Sequence, residues 1–304
     1  MNIKKKQVRS NRFAFCIITH NEPEVFRTLV AQIDHPDNDI FVLIDKKSNI
    51  KQFNSVSTIY SRITFCEKRI NIMWGELSLV KAELELLACA TANGDYQHYH
   101  LLSGQDLLLK PVQQINKFMR ENHDKEFIGL REETASMESV DFRMRYYHFF
   151  THLCQSKYRI VQLIYFIPVK IQKLIGFRRP KVDNIIMGSN WCSLTQECVK
   201  YILYNRDKVL HKFRFCTCSD ELYKQYLILN STFRKQVFKN IDSFYGTDYL
   251  RKIDWTRGQP YIWTDKDFEE LVSSDAFFAR KFSARNCSLL KQIYNYTDSL
   301  KEYE

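Results

Sequence analysis

Residues 99–111, YHLLSGQDLLLKP, decide the fold together with the preceding segment 74–87, WGELSLVKAELELL. In segment 74–87, leucine and valine recur at helical spacing between charged residues, which predicts a helix with one buried face. Segment 99–111 opens as a short apolar strand and breaks into the turn SGQD at residues 103–106. A strand that ends in such a turn is typical of the carboxyl edge of an open α/β sheet, where ligands bind. An ordinary helix–strand unit with a tight turn is the alternative.

The chain before these segments also alternates between strand and helix. An apolar strand pattern over residues 13–19 is followed by Pro23 and a helical pattern to residue 33, and a second buried strand covers residues 40–44. Proline is favoured in the first turn of a helix, so we expect the helix to begin there. This alternation predicts a Rossmann-like parallel sheet flanked by helices.

Length and composition indicate a globular α/β protein. The chain has 304 residues, of which 45% are hydrophobic and 26% charged, enough for a large core. It has eight glycines and neither GxGxxG nor GxxxxGK[ST], which argues against a phosphate site built on a glycine-rich loop. The net charge of +10 could attract nucleic acid, anionic lipid or phosphorylated substrates. Because the basic residues are scattered and no nucleic-acid-binding module is recognisable, we expect no nucleic-acid partner.

The nine cysteines are odd in number and have no regular spacing. Cys16 and Cys89 lie within apolar patterns, where a thiol packs as a small hydrophobic group. The first twelve residues are basic and polar, and the apolar run behind them is too short for a signal peptide. We therefore expect reduced thiols and a cytoplasmic location, and no zinc site, because its ligand spacing is missing.

The middle of the chain, residues 131–181, lacks clear strand–helix alternation. Within it, residues 158–177 (YRIVQLIYFIPVKIQKLIGF) are apolar with basic flanks. About 20 apolar residues are needed to span a bilayer, and this segment has too many polar interruptions. Two interpretations stay open: a helix that covers the sheet or a cleft, and a basic amphipathic surface that rests on an anionic membrane.

Glu221 is the strongest candidate for a catalytic carboxylate. Ser219, Asp220 and Glu221 precede a helical pattern, and Ser219 is a suitable N-cap. A carboxylate in the first turn of a helix is stabilised in its ionised form by the helix dipole, which suits a general base. Asp220 would support the start of the helix. The alternative is that both acids only complement the dipole.

A second candidate site is the adjacent pair Arg280 and Lys281, within FFARKFS. Aromatic residues on both sides indicate that these cations approach a buried wall, where arginine can bind a diphosphate with two hydrogen bonds. Arg251 and Arg257 could extend such an anion site. The alternative is one arginine and one lysine at an exposed helix end.

Two D-x-D triplets occur, at Asp37–Asp39 and Asp265–Asp267. A metal-dependent sugar-nucleotide enzyme uses such a triplet to hold a divalent ion on the diphosphate. The first triplet precedes a strand and the second is typical of a helix cap, so neither lies where a metal would be needed. We expect no metal.

Eight runs, taken in order, resemble the core-2/I-branching family of glycosyltransferases, which includes branching β-1,6-N-acetylglucosaminyltransferases and protein xylosyltransferases. They span nearly the whole chain, and residues 131–181 show no dependable match. The runs are residues 14–21, 44–48 (IDKKS), 74–87, 99–111, 188–191 (GSNW), 219–221 (SDE), 250–255 (LRKIDW) and 278–282 (FARKF).

The resemblance implies a GT-A type mixed sheet flanked by helices, and an inverting transfer from a UDP-sugar without a metal or other cofactor. It implies that Glu221 is the catalytic base and that Arg280 and Lys281 contact the UDP diphosphate. The other matches place His20 and Asp45 near the nucleotide, and Trp74, Asp106, Ser189, Trp191 and Asp220 in the donor and acceptor cleft.

The resemblance also implies one domain with three parts: a nucleotide-binding half over about 12–130, a variable acceptor or lid region over about 131–181, and a catalytic C-terminal part over about 182–304. It favours N-acetylglucosamine as the sugar, with xylose as the second option, and a hydroxyl of a glycan or glycolipid as the acceptor.

Animal members have a signal anchor and a disulfide framework, and we expect neither in this chain. It therefore resembles a bacterial cytoplasmic member that acts in surface polysaccharide assembly. Peripheral contact with an anionic membrane stays open. Two alternatives remain. One is a metal-dependent glycosyltransferase that uses Asp106 or a D-x-D acid. The other is a non-catalytic, basic, membrane-associated protein.

Overall fold

The computed structural model describes residues 11–131, 133–182, 184–238 and 250–301. Its strands are β1 (Phe13–Thr19), β2 (Asn38–Ile44), β3 (Arg62–Phe65), β4 (His98–Ser103), β5 (Asp106–Leu108), β6 (Phe127–Ile128), β7 (Cys192–Thr195), β8 (Arg251–Ile253) and β9 (Phe278–Arg280). Its helices are α1 (Pro23–Ile33), α2 (Leu77–Asn93), α3 (Val112–Glu121), α4 (Glu133–Arg145), α5 (Arg159–Leu174), α6 (Gln196–Tyr204), α7 (Arg206–Lys212), α8 (Tyr223–Leu229), α9 (Phe268–Val272) and α10 (Cys287–Ser299).

The central sheet contains six strands in the order β3-β2-β1-β4-β7-β6. Strands β3, β2, β1 and β4 are parallel, whereas β7 is antiparallel to β4 and β6 is antiparallel to β7. Strands β1 and β2 are buried along their whole length, as expected for parallel strands that are covered on both faces. This mixed sheet flanked by helices confirms the predicted GT-A type architecture.

The two faces of the central sheet pack into separate hydrophobic clusters. Ala14 and Cys16 of β1 belong to the cluster that includes residues of α2, α6 and α8. Phe13 and Phe15 belong to the other cluster, with residues of α1, α3 and α10. Because successive side chains of a strand point to opposite faces, both faces of β1 need apolar residues, which explains its uninterrupted apolar run.

A second, three-stranded sheet follows the turn at the end of β4, in the order β5-β9-β8. Strand β5 is antiparallel to β9, and the register pairs Asp106 with Arg280. Strand β8 runs parallel to β9. Each strand has three residues and the partners lie far apart in the chain, so local sequence patterns did not predict this sheet.

One local prediction was wrong in its boundaries. The SDE run, expected to open a helix with Ser219 as its N-cap, forms a separate 3-10 turn at Ser219–Glu221, and α8 begins at Tyr223. The segment 185–190 is irregular, and β7 begins at Cys192. Backbone groups of the two segments bond to each other and to a side chain of α8, outside any regular ladder.

The middle region contains α4 and α5, which are joined through a short 3-10 helix at Thr151–Gln155. Helix α5 packs on the rest of the protein through Tyr165, Val169 and Gln172. Among the described residues, no helix has both the length and the apolar character needed to cross a membrane. The division of the chain into three parts stays a prediction.

Candidate active site

The cleft forms where the parallel strands of the central sheet end. His20 follows β1, Asp45 follows β2, and Ser103 is the last residue of β4. Because β7 is antiparallel to β4, the segment 188–191 that leads into β7 reaches the same edge. The carboxyl edge of an open α/β sheet is where ligands bind.

The turn after β4 depends on Gly104. Its N–H donates to the Ile18 carbonyl at 2.9 Å, and a Cβ at this position would lie 2.2 Å from Oγ1 of Thr19. Asp106 folds back onto the turn, with Oδ2 accepting from the Ser103 N–H at 2.9 Å and Oδ1 from the Ser103 hydroxyl at 2.7 Å. The result is a rigid, buried carboxylate beneath the cleft.

Arg280 is held against this turn by three contacts. Its Nη1 donates to Oδ1 of Asp106 at 2.9 Å and to the hydroxyl of Ser103. Its guanidinium carbon lies 4.7 Å from the centroid of a Trp191 ring, a cation–π contact. Since a guanidinium has five N–H donors and these hydrogen bonds use Nη1, donors remain to bind an anionic ligand.

Lys281 and His20 share the electrostatic field of Arg280. Burial and repulsion from Arg280 lower the pKa of Lys281, and the part of the chain that the structure describes offers its ammonium no hydrogen bond or ion pair. His20 opens to solvent, yet desolvation and repulsion from Lys281 lower its pKa, against the attraction of Asp45. A bound anion would relieve this repulsion, so the pair suits a diphosphate.

Glu221 lies in the 3-10 turn Ser219–Glu221, just before α8, and not in the first turn of an α-helix as predicted. Its carboxylate Oε2 instead accepts from Nη1 of Arg143 in α4 at 2.6 Å, and both side chains are partly exposed. Burial acts to lower the pKa of Arg143, but the attraction of Glu221, Cys218 and Asp220 together outweighs burial and raises that pKa. An arginine of the middle region is therefore the group that holds the Glu221 carboxylate in place.

Asp220 lies next to a buried ion pair beneath the cleft. Nζ of Lys224 contacts Oε2 of Glu83 at 2.5 Å and the side-chain oxygen of Asn190 at 2.7 Å. Burial of its carboxylate and repulsion from Glu221 raise the pKa of Asp220. Ser219, predicted as an N-cap, makes no capping hydrogen bond. The buried pair, rather than a cap, anchors this turn.

Segment 188–191 connects the acid to the cations. The Gly188 N–H donates to the Glu221 carbonyl at 3.0 Å, and the Ser189 carbonyl accepts from Nε2 of Gln225 at 2.8 Å. Two residues on, Trp191 stacks on Arg280. The structure thus brings Ser189 and Trp191, which the resemblance placed in the donor and acceptor cleft, between the candidate base and the candidate anion site.

Trp74 and Asp45 flank the cleft. Trp74 is 50% exposed, and the carbonyl of the following Gly75 accepts from the Cys218 N–H at 2.8 Å, in the loop that leads to Glu221. Asp45 is buried and accepts from the Lys47 N–H at 2.9 Å, which shapes the loop after β2. Trp74 therefore offers an exposed aromatic face, whereas Asp45 is tied to its own loop.

The structure does not support two predicted UDP contacts. Arg251 is 4% exposed, and its Nη2 donates to the Cys192 carbonyl at 2.7 Å and the Ser193 hydroxyl at 3.1 Å, which joins the two sheets. Arg257 is exposed but pairs with three carboxylates, those of Asp254, Asp267 and Glu270. Burial removes the first guanidinium from the cleft surface, and the acids neutralise the second.

The D-x-D triplets lie outside the cleft. Asp39 is buried near the start of β2, at the opposite edge of the sheet, and pairs with Arg12 and Arg62. Asp267 closes a capping box with Thr264, as predicted for a helix cap. Within residues 11–301, apart from the gaps in the description, no three His, Cys, Asp or Glu residues converge in a way that could hold a metal ion.

Sequence reasoning missed Arg143, which is the closest partner of the candidate base. It lies in the middle region, where no motif matched, and its ESVDFRMR context is an ordinary helical pattern. It also missed Ser103 as a contact of Arg280, although the SGQD turn was singled out. The sequence offers no motif that would have indicated Arg143 as the partner of Glu221.

The fold and the site together define a GT-A type protein with a carboxylate and paired cations at the carboxyl edge of its sheet. A family model described as "Branch: Core-2/I-Branching enzyme" matches residues 13–278. The chain therefore belongs to the Core-2/I-branching enzyme family of glycosyltransferases.

Curated relatives and a solved structure are also similar to the chain. It is 22% identical to xylosyltransferase 2 of Rattus norvegicus over 301 residues and 21% identical to xylosyltransferase 2 of Homo sapiens over 301 residues. Each match covers 90% of this chain and 32% of the relative, so the chain spans about a third of the length of these relatives. The apo structure of mouse xyloside xylosyltransferase 1 matches 88% of this chain and 97% of its own, at 8% identity and a TM-score of 0.38.

Proposed function

We propose that the protein transfers a sugar from a UDP-sugar to a hydroxyl of a glycan or glycolipid acceptor, with inversion at the anomeric carbon and without a metal. The observation that carries this proposal is the joining of two groups by segment 188–191: the carboxylate of Glu221 at one end and the cations Arg280 and Lys281 at the other. The attacking hydroxyl needs a base, which the carboxylate would supply, and the leaving diphosphate needs positive charge, which the two cations would supply.

The leaving diphosphate gains negative charge as the bond to the sugar breaks. Arg280, fixed by Asp106 and Trp191, can bind its oxygens with hydrogen bonds, and Lys281 supplies a second positive charge. Cations that are already in position stabilise such charge without reorganisation. Both carboxylate oxygens of Asp106 already accept hydrogen bonds from Ser103, which disfavours Asp106 as a metal ligand.

The acceptor hydroxyl loses its proton as it attacks the anomeric carbon. Glu221 is partly exposed and held in place by Arg143, so it is positioned to take this proton as a general base. One direct displacement by the acceptor gives the inverted β-linkage from an α-linked donor.

The donor sugar is proposed as N-acetylglucosamine or xylose. The names of the similar curated proteins favour xylose, and the family name includes branching enzymes. We also propose a role in the assembly of a bacterial surface polysaccharide, in the cytoplasm or at the inner face of its membrane. The aromatic face of Trp74 beside the Glu221 loop suits stacking on an acceptor sugar ring.

The test is a screen of UDP-sugars for UDP release, run in EDTA and again with Mn²⁺. We expect slow hydrolysis of one donor in EDTA, and a loss of about 10²–10⁴-fold in kcat for Glu221→Gln with nearly unchanged UDP binding. Glu269→Gln, an exposed acid in α9, is the matched control. Release only with Mn²⁺ would contradict metal independence. Near-full activity of Glu221→Gln would remove Glu221 as the base.

A further inference from the structure

Helix α5 is fixed to the protein by one specific face. The side-chain amide of Gln172 bonds twice to the backbone of Tyr147, accepting from its N–H at 2.8 Å and donating to its carbonyl at 2.9 Å. The hydroxyl of Tyr165 lies 3.0 Å from Nδ1 of His148. These contacts set the rotation of the helix about its axis, so the face it presents to solvent is defined.

The opposite face of α5 is apolar and exposed. Residues at intervals of three and four form one stripe along the whole helix, between 47% and 87% exposed. The stripe consists of Ile160, Leu163, Ile164, Ile167, Ile171 and Leu174. Ile175 and Phe177, also exposed, continue it beyond the helix. A continuous exposed apolar surface of this length marks a site of contact with an apolar partner.

The charge around the stripe is of one sign. Residues 157–182 contain seven cations and no acid: Lys157, Arg159, Lys170, Lys173, Arg178, Arg179 and Lys181. Six of the seven are exposed, all but Arg179. None of these cations forms an ion pair with another residue that the structure describes, so the six exposed charges can attract an anionic surface.

We propose that α5 docks in the plane of an anionic lipid bilayer, with the apolar stripe in the acyl boundary and the cations at the headgroups. Apolar residues flanked by lysine and arginine are the composition of helices that lie in a membrane interface. A second copy of the chain fits less well, because a symmetric contact through α5 would bring two acid-free, cationic segments together. The helix rests on the bilayer and does not cross it.

The docked helix adjoins the acid side of the cleft. The 3-10 helix before α5 packs against the loop after Trp74, where a Cβ at Gly75 would lie 2.7 Å from Cγ2 of Thr151, and His152 pairs with Glu76. If the proposed function holds, docking places Glu221 near the lipid surface, which suits a lipid-linked acceptor. Docking itself does not depend on that function.

The test is co-sedimentation of the full chain with phosphatidylcholine vesicles, with and without phosphatidylglycerol, at low and high salt. We expect binding to the anionic vesicles that weakens with salt, since exposed charges are screened. The double variant Ile164→Glu/Ile167→Glu should lower the bound fraction at least tenfold. Ile59→Glu/Tyr60→Glu, at two exposed apolar residues outside α5, adds the same charge and is the matched control, which should bind nearly like the wild type.

Three results would overturn docking: no binding of the wild type to anionic vesicles at low salt, equal binding of the double variant, or equal loss in the control. A lipid-independent dimer that the double variant dissociates would instead assign the stripe to a second copy. Because vesicle binding needs no donor sugar, failure of the transferase proposal leaves this result interpretable. Circular dichroism of each variant verifies folding, which substitutions at exposed positions should preserve.

Discussion

At the residue scale, the position of the candidate base, Glu221, is set by its ion pair with Arg143. Glu221 lies in a 3-10 turn, and Arg143 from the middle region reaches it at 2.6 Å. The ion pair orients the carboxylate, but Arg143 also competes for it with an incoming acceptor hydroxyl. Arg143 is therefore a positioning residue for the proposed reaction, and its loss should lower kcat more than it weakens UDP binding.

Replacing Arg143 by methionine removes the charge and keeps most of the side-chain volume. We expect Arg143→Met to lower kcat roughly tenfold or more, since a charge-assisted hydrogen bond is worth about 1.5–3 kcal/mol. UDP affinity, measured by calorimetry, should stay nearly unchanged, because the ion pair with Glu221 is separate from the contacts that hold Arg280. Arg143→Lys should retain most of the wild-type kcat. An unchanged kcat in Arg143→Met would show that the ion pair has no role in the reaction.

Lys281 is the cation whose charge is least compensated in the cleft. We expect Lys281→Ala to weaken UDP binding roughly 10–100-fold and to lower turnover, because one charged contact to the diphosphate is lost. Calorimetry with UDP measures this, and Lys266→Ala, an exposed lysine before α9, serves as the control. Unchanged UDP affinity in Lys281→Ala would exclude this side chain from the donor site.

At the scale of elements, the short irregular segments carry the site and the regular elements carry the core. Segment 188–191 has no strand of its own, yet its backbone bonds to the Glu221 turn and to α8. Its first residue must be glycine, since a Cβ at Gly188 would lie 1.8 Å from the Gly129 carbonyl oxygen. A backbone atom cannot move aside as a side chain can.

Gly188→Ala should consequently destabilise the protein by about 1–3 kcal/mol, the usual cost of overpacking a tight site. Gly176→Ala offers a contrast, because its Cβ would meet open space and only its positive φ of 71° opposes alanine, at about 1 kcal/mol. Urea unfolding of both variants measures the difference. If the two losses were equal, the close approach at Gly188 would not be the cause.

At the scale of the whole molecule, the central sheet buries titratable groups that respond to pH in opposite directions. Burial lowers the pKa of His98 to about 4, and its Nε2 donates to the Lys125 carbonyl at 3.1 Å as a neutral ring. Burial raises the pKa of Glu126 to about 7, where the carboxyl bonds to Thr195. The buried neutral His98 therefore lowers the free energy of unfolding in acid. The buried Glu126 lowers it near and above neutral pH.

The wild type should lose stability relative to His98→Gln as the pH falls from 6.5 to 4. In that window the unfolded chain binds a proton that the folded chain does not, which is worth on the order of 3 kcal/mol. Relative to Glu126→Gln the sign reverses: the wild type should gain stability as the pH falls from 7 to 4.5, because the folded chain binds the extra proton. Urea unfolding at pH 7 and pH 4.5 measures both differences, and slopes of equal sign would contradict this assignment.

The local sequence predicted the strands that are buried on both faces, because a short, continuous apolar run is typical of a strand covered on both sides. Strand β1 was predicted to the residue, and Asp106 was placed in the turn after β4 at the sheet edge. The ordered motifs were enough to select the family. The limits of α2 and the 3-10 turn at Ser219–Glu221 were missed, since helix ends depend on contacts outside the segment.

The sequence by itself determined the α/β class, the parallel core and the two candidate groups, the Glu221 carboxylate and the Arg280–Lys281 pair, because those follow from local periodicity and motif order. Only the tertiary structure decided which groups meet: Arg280 with Asp106, Glu221 with Arg143, and the burial of Arg251 between the sheets. Each of these pairings joins distant parts of the chain. Strand register and helix packing determine which distant side chains meet. A local sequence pattern contains no information about a contact residue from another part of the chain.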